Sequence, residues 1–297
     1  MIEIFEAWPL LLLAACGLFG LIVGSFINVV AYRLPIMMEL RWREERDSTE
    51  ATDGHVPVPS HIDAQSFNLS WPPSACPHCN AKIKAHQNIP VLSYLWLRGR
   101  CSNCQRTISK RYPMVEIIVG IASVLVAWRF GASWACVAAL GLTWTLIAAS
   151  LIDIDHYLLP DSLTLPLLWS GLLISLFFID GNPIFTDIRS SVIGAAAGYL
   201  SLWSVYHLFK LITGKEGMGY GDFKLLAALG AWLGWQMLPL IITVSAAVGT
   251  VVGLVGLFVQ GKSRHTPIPF GPYLAAAGWV ALIWGDRLLE LYLSVML

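Results

Sequence analysis

Long uncharged apolar segments alternate with short polar connections along this chain. Most of the apolar segments contain about 20 residues, the length with which an α-helix crosses the hydrocarbon core of a bilayer. The longest, residues 225–261, is too long for one crossing, and its Gly234 and Pro239 favour a turn near residues 236–239. The other segments are residues 8–32, 112–128, 130–152, 162–179, 190–209 and 266–285. The pattern predicts an all-α polytopic membrane protein with about eight transmembrane helices.

The composition agrees with this pattern. Hydrophobic residues make up 56% of the 297-residue chain and charged residues only 13%, whereas a typical soluble domain has about 25% charged residues. The formal net charge is zero, so the composition does not indicate the basic surface that nucleic-acid-binding domains carry. We therefore expect contact with membrane lipid and no nucleic-acid partner.

Lysine and arginine are unevenly distributed over the predicted connections. All but three of the 19 lie in residues 33–111, 210–224 and 262–264, which an eight-helix topology places on one side of the membrane. The remaining three are Arg129, Arg189 and Arg287. Because cytoplasmic connections are enriched in Lys and Arg, we expect the first side to be cytoplasmic.

The long connection, residues 33–111, is expected to have two parts. Residues 37–73 are charged and then rich in Pro, Ser and His, without a helical or strand period, which indicates a flexible insertion. Residues 76–104 begin with the sequence CPHC and end with CSNC. The predicted organisation is therefore a first transmembrane helix within residues 1–32, this connection, and seven further helices within residues 112–297.

The two Cys-x-x-Cys pairs indicate a zinc site with four thiolate ligands. Its predicted ligands are Cys76, Cys79, Cys101 and Cys104. Two disulfides are the alternative, although a reducing cytosol disfavours them, and His78 and His86 are possible competing ligands. Four thiolates leave no open position for water, and a short connection has little core, so the expected role of zinc is structural.

Four aspartates stand at predicted cytoplasmic helix ends: Asp153, Asp155 and Asp161 after the third segment, and Asp222 before the sixth. Ionisable groups at a membrane boundary are costly and point to function. Asp161 and Asp222 each precede a predicted helix, so the alternative role of each is a helix N-cap. The alternative for Asp155 is a solvated residue at the membrane boundary. In a helix, Asp153 and Asp155 point about 200° apart, so one pocket would take only one of them.

The glycines around Asp222 favour a functional interpretation. Gly217, Gly219 and Gly221 leave little side-chain bulk near this carboxylate, and glycine allows another backbone to approach closely. Two facing aspartates can share one proton, so that the ionised one activates water while the protonated one polarises a peptide carbonyl. This arrangement would hydrolyse an extended peptide without a covalent intermediate.

At these residues the chain resembles the bifunctional type IV prepilin peptidases, members of the intramembrane aspartic proteases with a Gly-x-Gly-Asp motif. The resemblance covers nearly the whole chain. It is carried by GSFINVVAYRLP (24–35), the two cysteine pairs, NIPVLSYLWLRGRC (88–101), RYPMVE (111–116), DIDHYLLPD (153–161), GMGYGDFKLLAALGAWLGW (217–235) and PIPFGPYLAAAG (267–278).

The resemblance implies an activity and its residues. The family cleaves the leader of prepilins and type II secretion pseudopilins after glycine, at the cytoplasmic face of the bacterial inner membrane. It then methylates the new N-terminal residue, usually phenylalanine, with S-adenosylmethionine. The catalytic aspartates fall on Asp153 and Asp222, with Asp153 rather than Asp155 because the family's active residue is the first of that motif. The four cysteines match the family's zinc site.

The methyl-transfer half rests on the resemblance alone, because the sequence contains no Gly-rich strand–turn–helix of a nucleotide-binding fold. Gly99, Asn28 and Arg33 are the candidate residues for binding the methyl donor. Helix packing and a positive anchor are equally consistent with Asn28 and Arg33. Glu116, in the second segment, suits either a polar contact to substrate or cofactor or an ion pair with Arg111 or Lys110.

Two other functions fit parts of the pattern. A proton- or cation-coupled transporter would use membrane-edge carboxylates, but it predicts acids near the bilayer midplane and matching helix breaks in two halves of the chain. A non-catalytic, zinc-containing pilin assembly factor predicts that both aspartates can be replaced without loss. The resemblance favours the peptidase over both.

Overall fold

A computed structural model describes residues 5, 7–45, 67–179, 181–215, 217–260 and 268–296. Nine α-helices form most of this part of the chain, and eight of them are apolar and correspond in position to the eight predicted segments. The helices are α1 Pro9–Glu45, α2 Leu92–Trp96, α3 Arg111–Phe130, α4 Trp134–His156, α5 Asp161–Ile174, α6 Ile188–Thr213, α7 Tyr220–Leu233, α8 Leu238–Gln260 and α9 Gly271–Met296. Two short strands, β1 Phe178–Ile179 and β2 Asn182–Pro183, pair antiparallel between α5 and α6.

Within the described residues, five helices are long and apolar enough to cross a membrane. They are Pro9–Arg43, Arg111–Phe130, Trp134–His156, Ile188–Thr213 and Trp235–Gly256. Helices α5 and α7 each contain only 14 residues, which corresponds to about 21 Å at 1.5 Å per residue. That is shorter than a hydrocarbon core of about 30 Å.

The longest apolar run breaks close to the predicted position. Helix α7 ends at Gly234, which adopts φ +82°, and a 3₁₀ turn over Trp235–Met237 leads into α8 at Leu238. Glycine adopts this positive φ without a steric cost, so the sequence ends the helix there. The expected division of this run into two helices is confirmed.

The predicted boundary between the first helix and a flexible insertion is wrong for residues 33–45. Helix α1 continues through Pro35 to Glu45 instead of ending near residue 32. The residues after Pro35 are mostly Leu, Met, Glu and Arg, which favour helix, and Glu39 and Arg43 form an ion pair one turn apart, at 3.0 Å. Residues 67–73 of the predicted insertion form hydrogen bonds described below, and residues 46–66 lie outside the described residues.

The chain forms two compact units, residues Met1–Cys136 and Val137–Leu297. In the first unit, α1 packs closely on α3, because Gly24 has no side chain where the Glu116 Cα lies. The side chain of Asn28 donates hydrogen bonds of 3.2 Å to the carbonyls of Gly24 and Tyr112 at the end of this interface.

In the second unit, α7 is the buried helix. Its residues 225–232 are all buried, and Gly194 of α6 touches Gly230 of α7 backbone to backbone. Two hydrogen bonds join neighbouring helices to α7, from Ser191 Oγ to the Ala231 carbonyl (2.6 Å) and from Trp232 Nε1 to the Leu167 carbonyl (2.8 Å). Helix α7 therefore has a fixed position between α5 and α6.

Candidate active site and metal centre

Asp222 lies in the first turn of α7. Gly219 is the N-cap of this helix, and the backbone N–H of Asp222 donates to the Gly219 carbonyl at 3.3 Å. A carboxylate in the first turn is stabilised by the helix dipole. The side chain is only 7% exposed, and its Oδ1 has no hydrogen-bond partner within the described part of the chain. One buried oxygen is thus available to another molecule.

Asp153 lies in the last turn of α4 and is 5% exposed. Its Oδ2 accepts a hydrogen bond of 2.9 Å from the backbone N–H of Gly271, the first residue of α9. A Cβ atom on Gly271 would lie 2.6 Å from that oxygen. The glycine therefore allows a helix N-terminus to approach the carboxylate and bind it.

The two aspartates belong to one site. Leu159 lies against Gly221, beside Asp222, and its Cδ1 also contacts Gly271, which binds Asp153. Asp222 lies within the electrostatic influence of Asp153. The C-terminus of α4 and the N-termini of α7 and α9 therefore meet here. Asp155, two residues beyond Asp153, is exposed and lies outside the buried group.

Asp161 has a different role from the predicted N-cap. Pro160 occupies the N-cap position of α5, and Asp161 is the first helical residue. Both carboxylate oxygens of Asp161 accept hydrogen bonds from Lys224 Nζ, at 2.6 and 2.8 Å. The N-terminus of α5 is thereby joined to α7 two residues after Asp222.

The arrangement can perform general acid and base chemistry. Among the described residues, neither Asp153 nor Asp222 forms an ion pair, although both are buried. Burial and mutual repulsion make it costly to ionise both carboxylates of one site, so a state in which one of them is protonated is favoured. Such a pair can take a proton from water and donate a hydrogen bond at the same time.

The four cysteines form a second site, in the first unit. Their sulfur atoms all lie within 4.8 Å of one another, with 3.8 Å between Cys76 and Cys104 and 4.0 Å between Cys79 and Cys101. A tetrahedral zinc ion with Zn–S bonds of about 2.3 Å requires sulfurs about 3.8 Å apart. All four thiols are free, so the predicted alternative of two disulfides does not describe this structure, and the cluster can hold a metal ion.

Each cysteine pair is shaped by the same local turn. The N–H of Asn80 donates to the Cys76 carbonyl at 2.9 Å, and the N–H of Gln105 donates to the Cys101 carbonyl at 3.0 Å. Asn80 and Gln105 adopt positive φ values of 52° and 57°. The backbone N–H of Ala81 is the main cause that lowers the pKa of Cys79 to about 6. This hydrogen bond therefore favours the thiolate form of Cys79, which is the form that a metal binds.

Comparisons with known proteins find a matching family and close relatives. Residues 18–130 match the Bacterial Peptidase A24 N-terminal domain, and residues 140–254 match the Type IV leader peptidase family. The chain is 54% identical to a protein of Stutzerimonas stutzeri over 99% of its own length and 98% of the relative's. It is 52% identical to one of Pseudomonas aeruginosa with the same coverage, and 51% identical to one of Dichelobacter nodosus over 93% of each chain.

The chain belongs to the type IV leader peptidase family. The three relatives are each named prepilin leader peptidase/N-methyltransferase. The resemblance stated from the motifs is therefore confirmed. No solved structure matches the chain.

In this leader peptidase, the predicted methyl-donor residues bind parts of the protein itself. Asn28 donates to the backbone of α1 and α3, as described above. Arg33 donates to the Asn68 carbonyl at 2.9 Å and the Pro72 carbonyl at 2.6 Å. Gly99 adopts φ +65°, and a Cβ atom there would lie 2.8 Å from the Tyr94 hydroxyl. These contacts give each of the three residues a role in folding.

Sequence reasoning missed three residues that shape the site of this leader peptidase. Gly271 binds Asp153, Leu159 connects the two aspartate turns, and Lys224 fixes α5 to α7. Gly271 lies in the PIPFGPYLAAAG motif. This motif contributed to the family resemblance, but the sequence analysis assigned no role to any of its residues. The separation of Gly271 from Asp153 along the chain concealed their hydrogen bond.

Proposed function

We propose that this chain is a membrane endopeptidase that cleaves the leader of prepilins and pseudopilins and then methylates the new N-terminus. The names of relatives more than 50% identical over nearly the full length support both activities. The observation that carries the peptidase half is the buried pair of Asp153 and Asp222, with Oδ1 of Asp222 unpartnered among the described residues.

The pair would hydrolyse the peptide with water as the nucleophile. One carboxylate takes a proton from water while the other, protonated, donates a hydrogen bond to the scissile carbonyl. The water oxygen bonds to the carbonyl carbon and forms a tetrahedral intermediate. The C–N bond then breaks as a proton moves to the amine nitrogen. Both aspartates return to their starting state with one proton between them.

The site suits a substrate cut beside its own membrane helix. Asp153 lies at the end of a helix long and apolar enough to span a membrane, and Asp222 lies in a turn preceded by glycines. An extended backbone could reach such an edge site. From the distribution of Lys and Arg, we infer that this edge faces the cytoplasm. From the bacterial relatives, we infer that the membrane is the bacterial inner membrane.

The methylation half is supported by the names of the relatives alone. Its methyl donor would be S-adenosylmethionine, bound as a second substrate. Gly99, Asn28 and Arg33 stay predictions for its binding, because the structure gives each a role in folding. We derive no step of the methyl transfer from them.

The four-cysteine cluster would hold one structural zinc ion. The observed sulfur spacing fits tetrahedral thiolate coordination. A zinc ion bound by four thiolates has no open position for a reacting water, so its contribution would be to stabilise residues 76–104.

Cleavage of a purified prepilin by the detergent-solubilised protein tests the peptidase half. Asp153→Asn and Asp222→Asn each keep the size of the side chain and remove its proton transfer, so we expect cleavage to fall by about 10²-fold to 10⁴-fold. Asp155→Asn is the matched control, since Asp155 lies on the same helix and is exposed. We expect it to cleave at the wild-type rate.

Four results would contradict the proposal. Full cleavage by a folded Asp153→Asn or Asp222→Asn protein would remove that residue from the reaction. Loss of cleavage in Asp155→Asn alone would move the role to Asp155. A wild-type protein that binds prepilin without cutting it would favour an assembly factor, and ion flux through reconstituted protein without cleavage would favour a transporter.

A further inference from the structure

Helix α2, in the connection between α1 and α3, has an apolar face that is largely exposed in the described structure. Leu92 and Leu95 are each 65% exposed and Trp96 is 76% exposed. Residues spaced by three and four positions lie on one side of a helix, so these three side chains form a single face. No residue of α2 is buried. An exposed cluster of large apolar side chains marks an interaction site.

A hydrogen bond fixes the depth of this helix. The backbone N–H of Val91, immediately before α2, donates to Glu116 Oε2 at 2.8 Å. Glu116 is the sixth residue of α3, a helix long and apolar enough to cross a membrane, and lies about 8 Å along its axis from its first residue. Helix α2 therefore begins level with the first turns of a transmembrane helix.

The backbone turn that starts α2 is strained, so contacts such as the hydrogen bond to Glu116 must hold it in place. Val91 has φ 58° and ψ −48°, and the Leu92 N–H donates to the Pro90 carbonyl at 2.5 Å. This is a γ-turn with positive φ, which is rare and unfavourable, above all at a β-branched residue. Such a conformation persists only where surrounding contacts hold it, and the Glu116 carboxylate is one of them.

The charged residues in the chain segment that contains α2 are all basic. Residues 67–110 contain six Lys and Arg and no Asp or Glu, and all six are exposed. They are Lys82, Lys84, Arg98, Arg100, Arg106 and Lys110. Basic residues near a membrane surface are attracted to anionic lipid headgroups, whereas two copies of this surface would repel each other.

We propose that α2 is an interfacial helix that rests on an anionic phospholipid surface. Leu92, Leu95 and Trp96 lie at the boundary between headgroups and acyl chains, in the leaflet where α3 enters the bilayer. Arg98 and Arg100, directly after the helix, bind lipid phosphates. Tryptophan and leucine opposite basic residues are typical of helices that lie in this interface, and tryptophan is enriched there. The segment that contains the four cysteines, residues 76–104, is called the cysteine module and is thereby held against the membrane.

Site-specific photocrosslinking in the full-length protein tests this contact. The photoreactive residue p-benzoylphenylalanine replaces Leu95, and the protein is reconstituted into nanodiscs that contain phosphatidylcholine and phosphatidylglycerol. Irradiation is expected to give a phospholipid adduct on the peptide that contains position 95, detected by mass spectrometry. Zinc content is measured for each variant, so that a change in the cysteine module is recognised.

Two matched positions make the result decisive. Ile121 of α3 is 56% exposed in a transmembrane helix and must give a lipid adduct, which shows that the method detects lipid. Gln105, directly after the cysteine module, is exposed outside the apolar face and is expected to give none. With both controls in order, the absence of a lipid adduct at position 95 overturns the proposal. An adduct there with a second copy of the chain, or with added prepilin, also overturns it.

A separate measurement tests how much the basic residues contribute to the lipid contact. Replacing phosphatidylglycerol by phosphatidylcholine, or making the double change Arg98→Gln and Arg100→Gln, is expected to lower the adduct yield at position 95 by about threefold or more. The yield at position 121 is expected to stay constant under both changes. An equal yield at position 95 in both lipid mixtures would overturn the part of the proposal that requires anionic lipid.

Discussion

The aspartate pair and the cysteine cluster each join two motifs that lie far apart in the sequence, but they are built in opposite ways. The carboxylates of Asp153 and Asp222 are 5% and 7% exposed, and one buried oxygen is unpartnered in the described structure. Cys76 is buried and the other three cysteines are half-buried, and all four sulfurs are close enough to share one ion. The first site leaves an atom for a substrate, whereas the second can be closed completely by a metal.

The two sites also differ in what holds them. Each cysteine pair is shaped by a turn of about six residues, closed by its own backbone hydrogen bonds. The aspartates depend on three helix ends that meet only when the second unit has folded. A substitution within a cysteine turn should therefore affect only the cysteine site. A substitution that disturbs helix packing in the second unit should affect only the aspartate site.

The largest expected effect is loss of the metal. Cys79→Ser removes one of four thiolates, and structural zinc contributes about 10 kcal/mol or more to folding of small zinc domains. We expect zinc content to fall from one ion per chain to nearly none, measured by elemental analysis, with loss of hydrogen-exchange protection in residues 76–104. Asp222→Asn should keep its zinc. Equal zinc content in Cys79→Ser and wild type would show that the cluster is not the metal site.

The next effect concerns the glycine that binds Asp153. In Gly271→Ala, the added methyl group would lie 2.6 Å from Asp153 Oδ2, so the carboxylate must move. A displacement of about 1 Å in an active site costs about 10²-fold in rate, and we expect prepilin cleavage to fall to that extent with zinc unchanged. Gly141→Ala is the control, because nothing lies within 4 Å of its added methyl group. Wild-type cleavage by Gly271→Ala would mean that this hydrogen bond does not position Asp153.

A smaller effect is expected where α6 meets α7. A methyl group at Gly194 would overlap the Gly230 carbonyl, and forced overpacking costs about 1–3 kcal/mol. The thermal unfolding midpoint of Gly194→Ala in detergent should fall, whereas that of Gly141→Ala should not. Unchanged stability of Gly194→Ala would indicate that the two helices separate easily.

The smallest effect is expected from the ion pair between Asp161 and Lys224. Their side chains are 56% and 29% exposed, and exposed pairs contribute about 1 kcal/mol or less. Lys224→Met should lower the unfolding midpoint only slightly. The exchanged pair Asp161→Lys with Lys224→Asp should restore part of that loss. A large loss of cleavage without loss of stability in Lys224→Met would instead assign Lys224 a role in catalysis.

The sequence predicted the parts of this molecule that depend on nearby residues. Apolar segment length located eight helices, and the glycine at position 234 located the break in the longest run. The four cysteines were found because each pair forms its own turn. Pro35 was misleading, since the residues after it favour helix strongly enough to continue α1 to Glu45.

Contacts between distant segments could not be predicted in the same way. The choice of Asp153 over Asp155 came from resemblance, and only the packed helix shows that the first is buried and the second exposed. The hydrogen bond from Gly271 and the ion pair from Lys224 to Asp161 join residues with no common local pattern. The catalytic roles themselves stay predictions until the variants are measured.

The contact between Gly194 and Gly230 has a consequence for motion during the reaction. Two helices that touch backbone to backbone cannot slide past each other without collision, so Asp222 is carried by a stationary element. Helix α4 is joined to α9 by hydrogen bonds, from the Gly271 N–H to Asp153 and from Trp279 to Thr143 at 3.1 Å. Such bonds can break and form again within microseconds to milliseconds. If the distance between the carboxylates changes in each catalytic cycle, we expect Asp153 to move and Asp222 to stay in place.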